Sequence, residues 1–125
     1  PEPTAITDAY GMIKSIVANR QDKNIKLVVN RVSSAIEAKR VADRLISISA
    51  QFLRTRIESI GFIFDENLVQ KSIRSQRPHV VLYPSSKSSA CVNHVAARLL
   101  NTNVQPEARG LGSIFKRLLT GRSDS

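Results

Sequence analysis

The 125-residue sequence contains a single cysteine, Cys91, so no second thiol is present for a disulfide framework or a cysteine-rich zinc site. A single cysteine without a disulfide partner favours a reducing, cytoplasmic setting. No apolar run approaches the roughly 20 residues of a membrane-spanning helix, and residues 1–4 lack the basic and apolar regions of a secretory signal. The chain also opens without a methionine, in what resembles a strand-to-helix connection, so we expect a piece of a longer protein.

Acidic residues are scarce: 10 Asp and Glu stand against 19 Lys and Arg, a net charge of +9. An excess of this sign predicts an anionic partner such as nucleic acid, a nucleotide or anionic lipid. The basic residues form no dense run, and we expect roughly half of them to lie on solvated helix faces. With 42% hydrophobic and 23% charged residues, the composition is that of one globular domain.

A short apolar run at residues 25–29 is followed directly by Asn30 and Arg31. The run predicts a strand buried on both faces, as in a parallel α/β sheet, whose carboxyl end is where ligands bind. The amide of Asn30 suits a purine edge and the planar group of Arg31 suits stacking. The alternative is that Asn30 only satisfies local backbone groups in an Asx-type turn.

Apolar spacing and turn residues predict an α/β chain in which a helix-sized crossover joins two parallel strands. Ser33 or Ser34 is expected to cap the crossover helix, with Ser34 and Glu37 forming a capping box. Two strands make an incomplete sheet, so the topology looks halved. The predicted elements are a helix at 5–18, a strand from 25, a helix to 53, a strand at 59–63, a short helix at 68–73, an extended arm at 79–84 and a helix capped within 85–89. The buried stripe predicted for the crossover helix is Ile36, Val41, Leu45, Ile48 and Phe52.

The C-terminal residues differ in character from the rest of the chain. Residues 101–110 have no apolar period and predict a linker. Residues 111–120 predict a short amphipathic helix with the form of an interfacial membrane anchor. The alternative is a terminal helix that packs on its own domain. The apolar face comprises Leu111, Ile114, Phe115, Leu118 and Leu119, and the basic face comprises Lys116 and Arg117.

Several separate stretches resemble, in order, the C-terminal half of MinD/ParA-type P-loop ATPases, and in particular the FlhG branch of flagellar-number regulators. The resemblance implies an α/β fold that is the C-terminal half of a Rossmann-like P-loop NTPase, with parallel strands and flanking helices, closed by a C-terminal amphipathic helix. Residues 1–100 would then be part of the ATPase domain. The stretches are Pro-Glu-Pro-Thr-Ala-Ile-Thr-Asp-Ala-Tyr at 1–10, Leu-Val-Val-Asn-Arg-Val at 27–32, Ile-Gly-Phe-Ile at 60–63, Ser-Ile-Arg-Ser-Gln-Arg-Pro at 72–78, Tyr-Pro-Ser-Ser at 83–86, and the terminal helix.

The resemblance implies a cytoplasmic protein that forms a homodimer around ATP and magnesium and binds an anionic membrane surface at the inner face of the cell membrane. It places Asn30 at the adenine, beside Arg31, and it places Glu2 and Pro3 in the loop that leaves the preceding strand, near the nucleotide and the dimer face. Phe64 and Asp65 stand where the family often has Pro-Tyr-Asp around the base. Flagellar or division regulators are the implied protein partners.

No Gly-Xaa-Xaa-Xaa-Xaa-Gly-Lys-Ser/Thr loop occurs in this sequence, although phosphate and magnesium binding in this family needs one. We therefore expect the intact protein to hydrolyse ATP and this chain alone to be inactive, with no catalytic residue of its own. His79 and His94 are read as surface residues and predict no metal site. Two alternatives remain: a basic nucleic-acid-binding or ParA-like DNA-partitioning module, and a plain protein-interaction domain.

Overall fold

The computed structural model describes residues 1–20 and 24–100, so the predicted linker and terminal helix lie outside the described residues. Two parallel strands pair into one sheet, joined by a crossover helix, which confirms the predicted α/β strand–helix–strand unit. Within the described ranges, no helix is both long enough and apolar enough to span a membrane. In chain order the elements are α1 (Pro3–Asn19), β1 (Ile25–Val32), α2 (Ala35–Leu53), β2 (Ile57–Phe64), α3 (Asn67–Arg74), α4 (His79–Leu82) and α5 (Lys87–Leu99).

A bulge interrupts the register of the sheet. Leu27 pairs with Ser59, but Val28 pairs with Gly61, which leaves Ile60 as the extra residue on β2. Gly61 has a φ of 150°, and a Cβ placed there would lie 2.7 Å from Cγ2 of Val95 on α5. Glycine at this position therefore permits both the bulged backbone and the close packing of α5 on β2.

The crossover helix α2 begins as predicted, and it buries part of the predicted stripe: Leu45 is buried, and Val41 and Ile48 pack partly buried against the core. The Ser34 hydroxyl accepts the N–H of Glu37 at 3.1 Å, which is one of the two bonds of the predicted capping box, while the Glu37 carboxylate accepts the N–H of Ser33 in place of that of Ser34. Ile36 and Phe52, both assigned to the buried stripe, are 73% and 66% exposed, so that assignment was wrong. Small side chains bring this helix close to the sheet, and a search for large apolar residues misses them. The residues it buries are Ala38, Ala42, Leu45 and Ser49.

The core consists of two clusters, and both include residues of α2. One joins the strands, α2 and α5 through Val29, Val32, Phe62 and Cys91, and the other joins α1 to α2 around Ile13. The apolar run of β1 is only half-buried from 25 to 28, which corrects the expectation of a strand buried on both faces. The reason is that β2 pairs with one edge of β1, while the other edge faces a cleft.

Helix α3 ends in a Schellman arrangement just before Pro78. The N–H of Arg77 donates to the carbonyl of Ser72 at 3.2 Å, and the N–H of Gln76 donates to that of Ile73 at 3.0 Å. Gln76 occupies the left-handed conformation with a φ of 52°, a position that glycine normally takes. The helix extends one residue beyond each bound of the helix predicted at 68–73.

The extended arm predicted for 79–84 was wrong, because its first four residues form the helical turn α4. The carbonyl of Pro78 accepts the N–H groups of Val81 at 3.0 Å and Leu82 at 3.1 Å. Proline lacks an N–H and has a fixed φ, so it can open a helical turn as readily as it closes the preceding one. His79 is therefore a half-buried helical residue and not part of a surface arm.

Candidate functional site

A cleft of about 590 Å³ lies between the start of α1, the unpaired edge of β1 and α2. Consecutive residues of β1 line it, with apolar side chains along the strand and polar ones at the carboxyl end. Its volume is in the range of small-molecule sites. Four residues that the sequence assigned to a nucleotide site meet at this cleft: Glu2, Asn30, Arg31 and Asp65.

Asn30 is exposed near the carboxyl end of β1, and its side chain already makes one local contact. The Oδ1 atom accepts the N–H of the next residue, Arg31, at 2.9 Å, so the side chain satisfies local backbone, although an Asx turn would use the N–H two residues on. That oxygen has a second lone pair, and the Nδ2 group is a separate pair of donors. The local bond fixes the orientation of the amide and leaves it able to bind a second group.

Arg31 bridges the carboxyl ends of the two strands. It adopts a φ of 59°, and its Nη2 lies 3.7 Å from Oδ2 of Asp65. The Asp65 N–H donates to the carbonyl of Val32 at 3.0 Å, so the backbone also closes this end. Both charged side chains are about half or more exposed, at 66% and 49%, so the pair contributes little stability and is free to rearrange around a ligand.

Pro3 and Phe64 lie near the cleft without lining it. Pro3 is the first residue of α1, which corrects its assignment to a loop, and its missing N–H is unneeded there. Phe64 packs edge-to-face on Phe62, with ring centroids 5.1 Å apart at 81°. Phe64 thus supports the end of β2 from the core side, opposite Val32 in the register.

Two glutamates that the sequence did not assign to the site hold its neighbouring loops. The Glu37 carboxylate accepts the Ser33 N–H at 2.6 Å and the Ser33 hydroxyl at 2.8 Å. These bonds, the backbone one foremost, hold the pKa of Glu37 below its usual value. The Glu66 carboxylate accepts the Ser88 N–H at 3.1 Å, which fastens the end of β2 to the start of α5. The capping box could have revealed the role of Glu37, but no sequence signal connects Glu66 with α5.

The two histidines and the cysteine lie away from this cleft. Within residues 1–20 and 24–100, no three His, Cys, Asp or Glu side chains are placed to hold a metal ion. His94 is half-buried on α5, and burial lowers its pKa. Cys91 is fully buried, and burial raises its pKa. The polar chemistry of the cleft therefore rests on an amide, a guanidinium and carboxylates.

Parallel strands with polar residues gathered at their carboxyl ends define an α/β protein of the kind that binds ligands at this edge. No family model matches the chain. The chain is similar to Antiactivator FleN of Pseudomonas aeruginosa, with 28% identity over 109 residues, which covers 87% of this chain and 39% of FleN. It is also similar to Flagellum site-determining protein YlxH of Helicobacter pylori, with 27% identity over 124 residues, which covers 95% of this chain and 42% of YlxH.

The chain thus spans about two-fifths of the length of these curated relatives, 39% and 42%. Homology to both proteins over most of the chain confirms the resemblance to flagellar regulators of the MinD/ParA type that the sequence motifs predicted.

Proposed function

We propose that this chain is the C-terminal portion of a MinD-like ATP-binding ATPase that regulates the number or placement of flagella. The names of its two relatives, an antiactivator and a flagellum site-determining protein, support the process. One observation carries the nucleotide assignment: Asn30, Arg31, Asp65 and Glu2 converge on one cleft at the carboxyl ends of parallel strands.

The cleft fits the base of a nucleotide better than its phosphates. The free Nδ2 donors and remaining Oδ1 lone pair of Asn30 match the paired acceptor and donor of adenine. The exposed Arg31 plane suits stacking on the ring, and Asp65 offers an acceptor for an exocyclic amine. ATP would supply the phosphoanhydride to be hydrolysed, and this chain would hold its base.

Phosphate and magnesium binding belong, in this proposal, to a P-loop outside this chain. The intact protein would hydrolyse ATP as a homodimer, with the region of Glu2 and Pro3 near the dimer face. It would be cytoplasmic and bind the inner face of the cell membrane through residues 111–119. The sequence of that segment supports the anchor, since its apolar and basic residues separate onto two helical faces.

The base assignment is tested with Asn30→Asp and Asn30→Ala in the full-length protein. Aspartate keeps an oxygen for the Arg31 N–H but removes the amide donors, whereas alanine removes both. Both variants are expected to weaken ATP binding by about 1 to 3 kcal/mol, the scale of a lost buried polar partner. Calorimetric titration measures the affinity, and thermal melting shows whether each variant is folded.

If Asn30 were only a turn residue, Asn30→Asp would bind ATP as the wild type does. Asn30→Ala would then lower the melting temperature with little change in affinity. That pair of results would remove Asn30 from the nucleotide site.

The anchor is tested with Phe115→Glu. A carboxylate in the middle of the apolar face should abolish vesicle binding, since it must enter the lipid unpaired or hold the whole face away. Stability should change by less than about 0.5 kcal/mol. A loss of about 3 kcal/mol or more, with vesicle binding retained, would instead identify Phe115 as part of a packed core.

The second candidate, a nucleic-acid-binding module, is favoured by the net charge of +9. Binding to phosphates would fall steeply with salt, whereas an inserted apolar face would resist it. Gel shifts and vesicle sedimentation across a salt series separate the two functions.

A further inference from the structure

The amino-terminal end of the sheet, opposite the cleft, collects the starts of both strands and the ends of three helices. Helices α1 and α2 each finish just before a strand begins. Helix α5 runs back along β2, since Ser88 near its start bonds Glu66, Val95 packs at Gly61, and the charge of Arg98 acts on Glu58. The last turn of α5 therefore lies at the same end as Glu58.

This end is strongly basic. Only Glu58 among the described acidic residues lies there, and it accepts a hydrogen bond from Lys26. That bond, together with the charges of Lys26, Arg98 and Arg56, lowers the pKa of Glu58. In the sequence, Asp22 and Lys23 cancel in charge. The basic residues at this end, called the basic end below, are Arg20, Lys26, Arg54, Arg56 and Arg98, and the other described acidic residues are Glu2, Asp8, Glu37, Asp43, Asp65 and Glu66.

The positive charge of the basic end exceeds the partial negative charge that the three helix ends carry. Five cations and Glu58 leave an excess of +4 among the described residues at this end. The carboxyl end of a helix carries about half a negative charge, so three such ends offset roughly 1.5 units. More than two positive charges thus remain, and apart from the half-buried Lys26 the cations are exposed.

Exposed apolar residues adjoin these cations at the end of α5. Leu99 is 61% and Leu100 is 72% exposed, directly after Arg98. In the sequence, the amphipathic stretch that begins at Leu111 follows eleven residues later, a span of at most about 40 Å. A single short anchor binds membranes only marginally, and stable attachment takes a second signal such as a basic patch.

We propose that the folded domain contacts anionic lipid headgroups through the basic end, together with Leu99 and Leu100. In this orientation the Asn30 cleft faces away from the bilayer. This inference rests on the proposed anchor at 111–119. Cations satisfy the headgroup phosphates, the two leucines enter the interface, and the short connection holds this end near the membrane. The nucleotide end stays open to the cytoplasm.

The test compares two triple variants of the full-length protein with ATP present. One removes three cations of the basic end, Arg54→Gln, Arg56→Gln and Arg98→Gln. The matched control removes three exposed cations of α3 and its following turn, Lys71→Gln, Arg74→Gln and Arg77→Gln. Sedimentation with vesicles of phosphatidylcholine, with and without phosphatidylglycerol, measures binding, and thermal melting confirms folding.

We expect the basic-end variant to lose affinity for the phosphatidylglycerol vesicles by on the order of 100-fold, since each cation near an anionic surface contributes roughly 5-fold. The control should lose less than about 5-fold. An equal loss in both variants would overturn the inference, because net charge would then explain it.

If the basic-end variant binds like the wild type while Phe115→Glu does not bind, the inference fails and the anchor stands. If the wild type binds duplex DNA and no vesicle, the inference and the anchor both fail.

Discussion

Gly61→Ala tests the packing of α5 on the sheet most directly. The methyl group would lie 2.7 Å from Cγ2 of Val95, well inside van der Waals contact, on a backbone whose φ is 150°. The first effect is overpacking, at about 1 to 3 kcal/mol, and the second is backbone strain of about 1 to 3 kcal/mol. We expect a total loss of about 4 kcal/mol, which is a large part of the 5 to 15 kcal/mol typical of a domain.

A second substitution separates the two effects. Val95→Ala removes the clashing methyl and should by itself cost about 1 kcal/mol, since Val95 is half-buried. In the double variant, only the steric part of the Gly61→Ala loss should disappear, because the positive φ remains. The coupling between the two sites should therefore favour the double variant by about 1 to 3 kcal/mol.

Urea unfolding of the full-length protein measures these free energies, and Gly11→Ala is the control. Nothing lies within 4 Å of a Cβ at Gly11, which sits in α1, so alanine there should stabilise by about 0.5 to 1 kcal/mol. A Gly61→Ala variant as stable as the wild type would refute the close contact between β2 and α5. A large loss without coupling to Val95 would assign the whole effect to the backbone.

Three further predictions concern single residues. Gln76→Gly should stabilise by about 1 kcal/mol in urea unfolding, since glycine adopts the left-handed φ of 52° freely. Glu37, whose pKa is lowered on folding, stabilises the fold above its usual pKa of 4.5 and loses this contribution as the pH falls below it, so melting of Glu37→Gln should be less acid-sensitive in that range. Cys91, buried with a raised pKa, should resist iodoacetamide in the native protein and react in denaturant, as followed by mass spectrometry.

Local signals allowed the parallel unit to be predicted from the sequence. The Ser34 and Glu37 box fixed where α2 begins, and Pro78 fixed where α3 has ended. A helix of crossover length between two apolar runs then leaves parallel pairing as the favoured topology. These features depend on neighbours a few residues away, so they can be read without tertiary contacts.

Packing could not be predicted in the same way. Ile36 and Phe52 fit the apolar period of α2, yet the sheet is approached by Ala38 and Ala42. Which side of a helix turns inward is decided by how closely the helix approaches the sheet, and here the two alanines allow a close approach. The spacing of apolar residues identifies the helix, and the size of the side chains that can face the sheet determines which side of the helix is buried.

The candidate site shows the same division between local and long-range information. Parallel topology predicts that Asn30 and Asp65 meet at one edge, because both follow strands of the same sheet. The sequence cannot show that Arg31 takes a positive φ, places its own N–H on Asn30 and reaches Asp65. The two interpretations of Asn30 are therefore compatible, since one oxygen lone pair serves the turn and the amide donors remain for a ligand. Only a substitution that keeps the oxygen and removes the donors, as Asn30→Asp does, separates a turn residue from one that also binds a base.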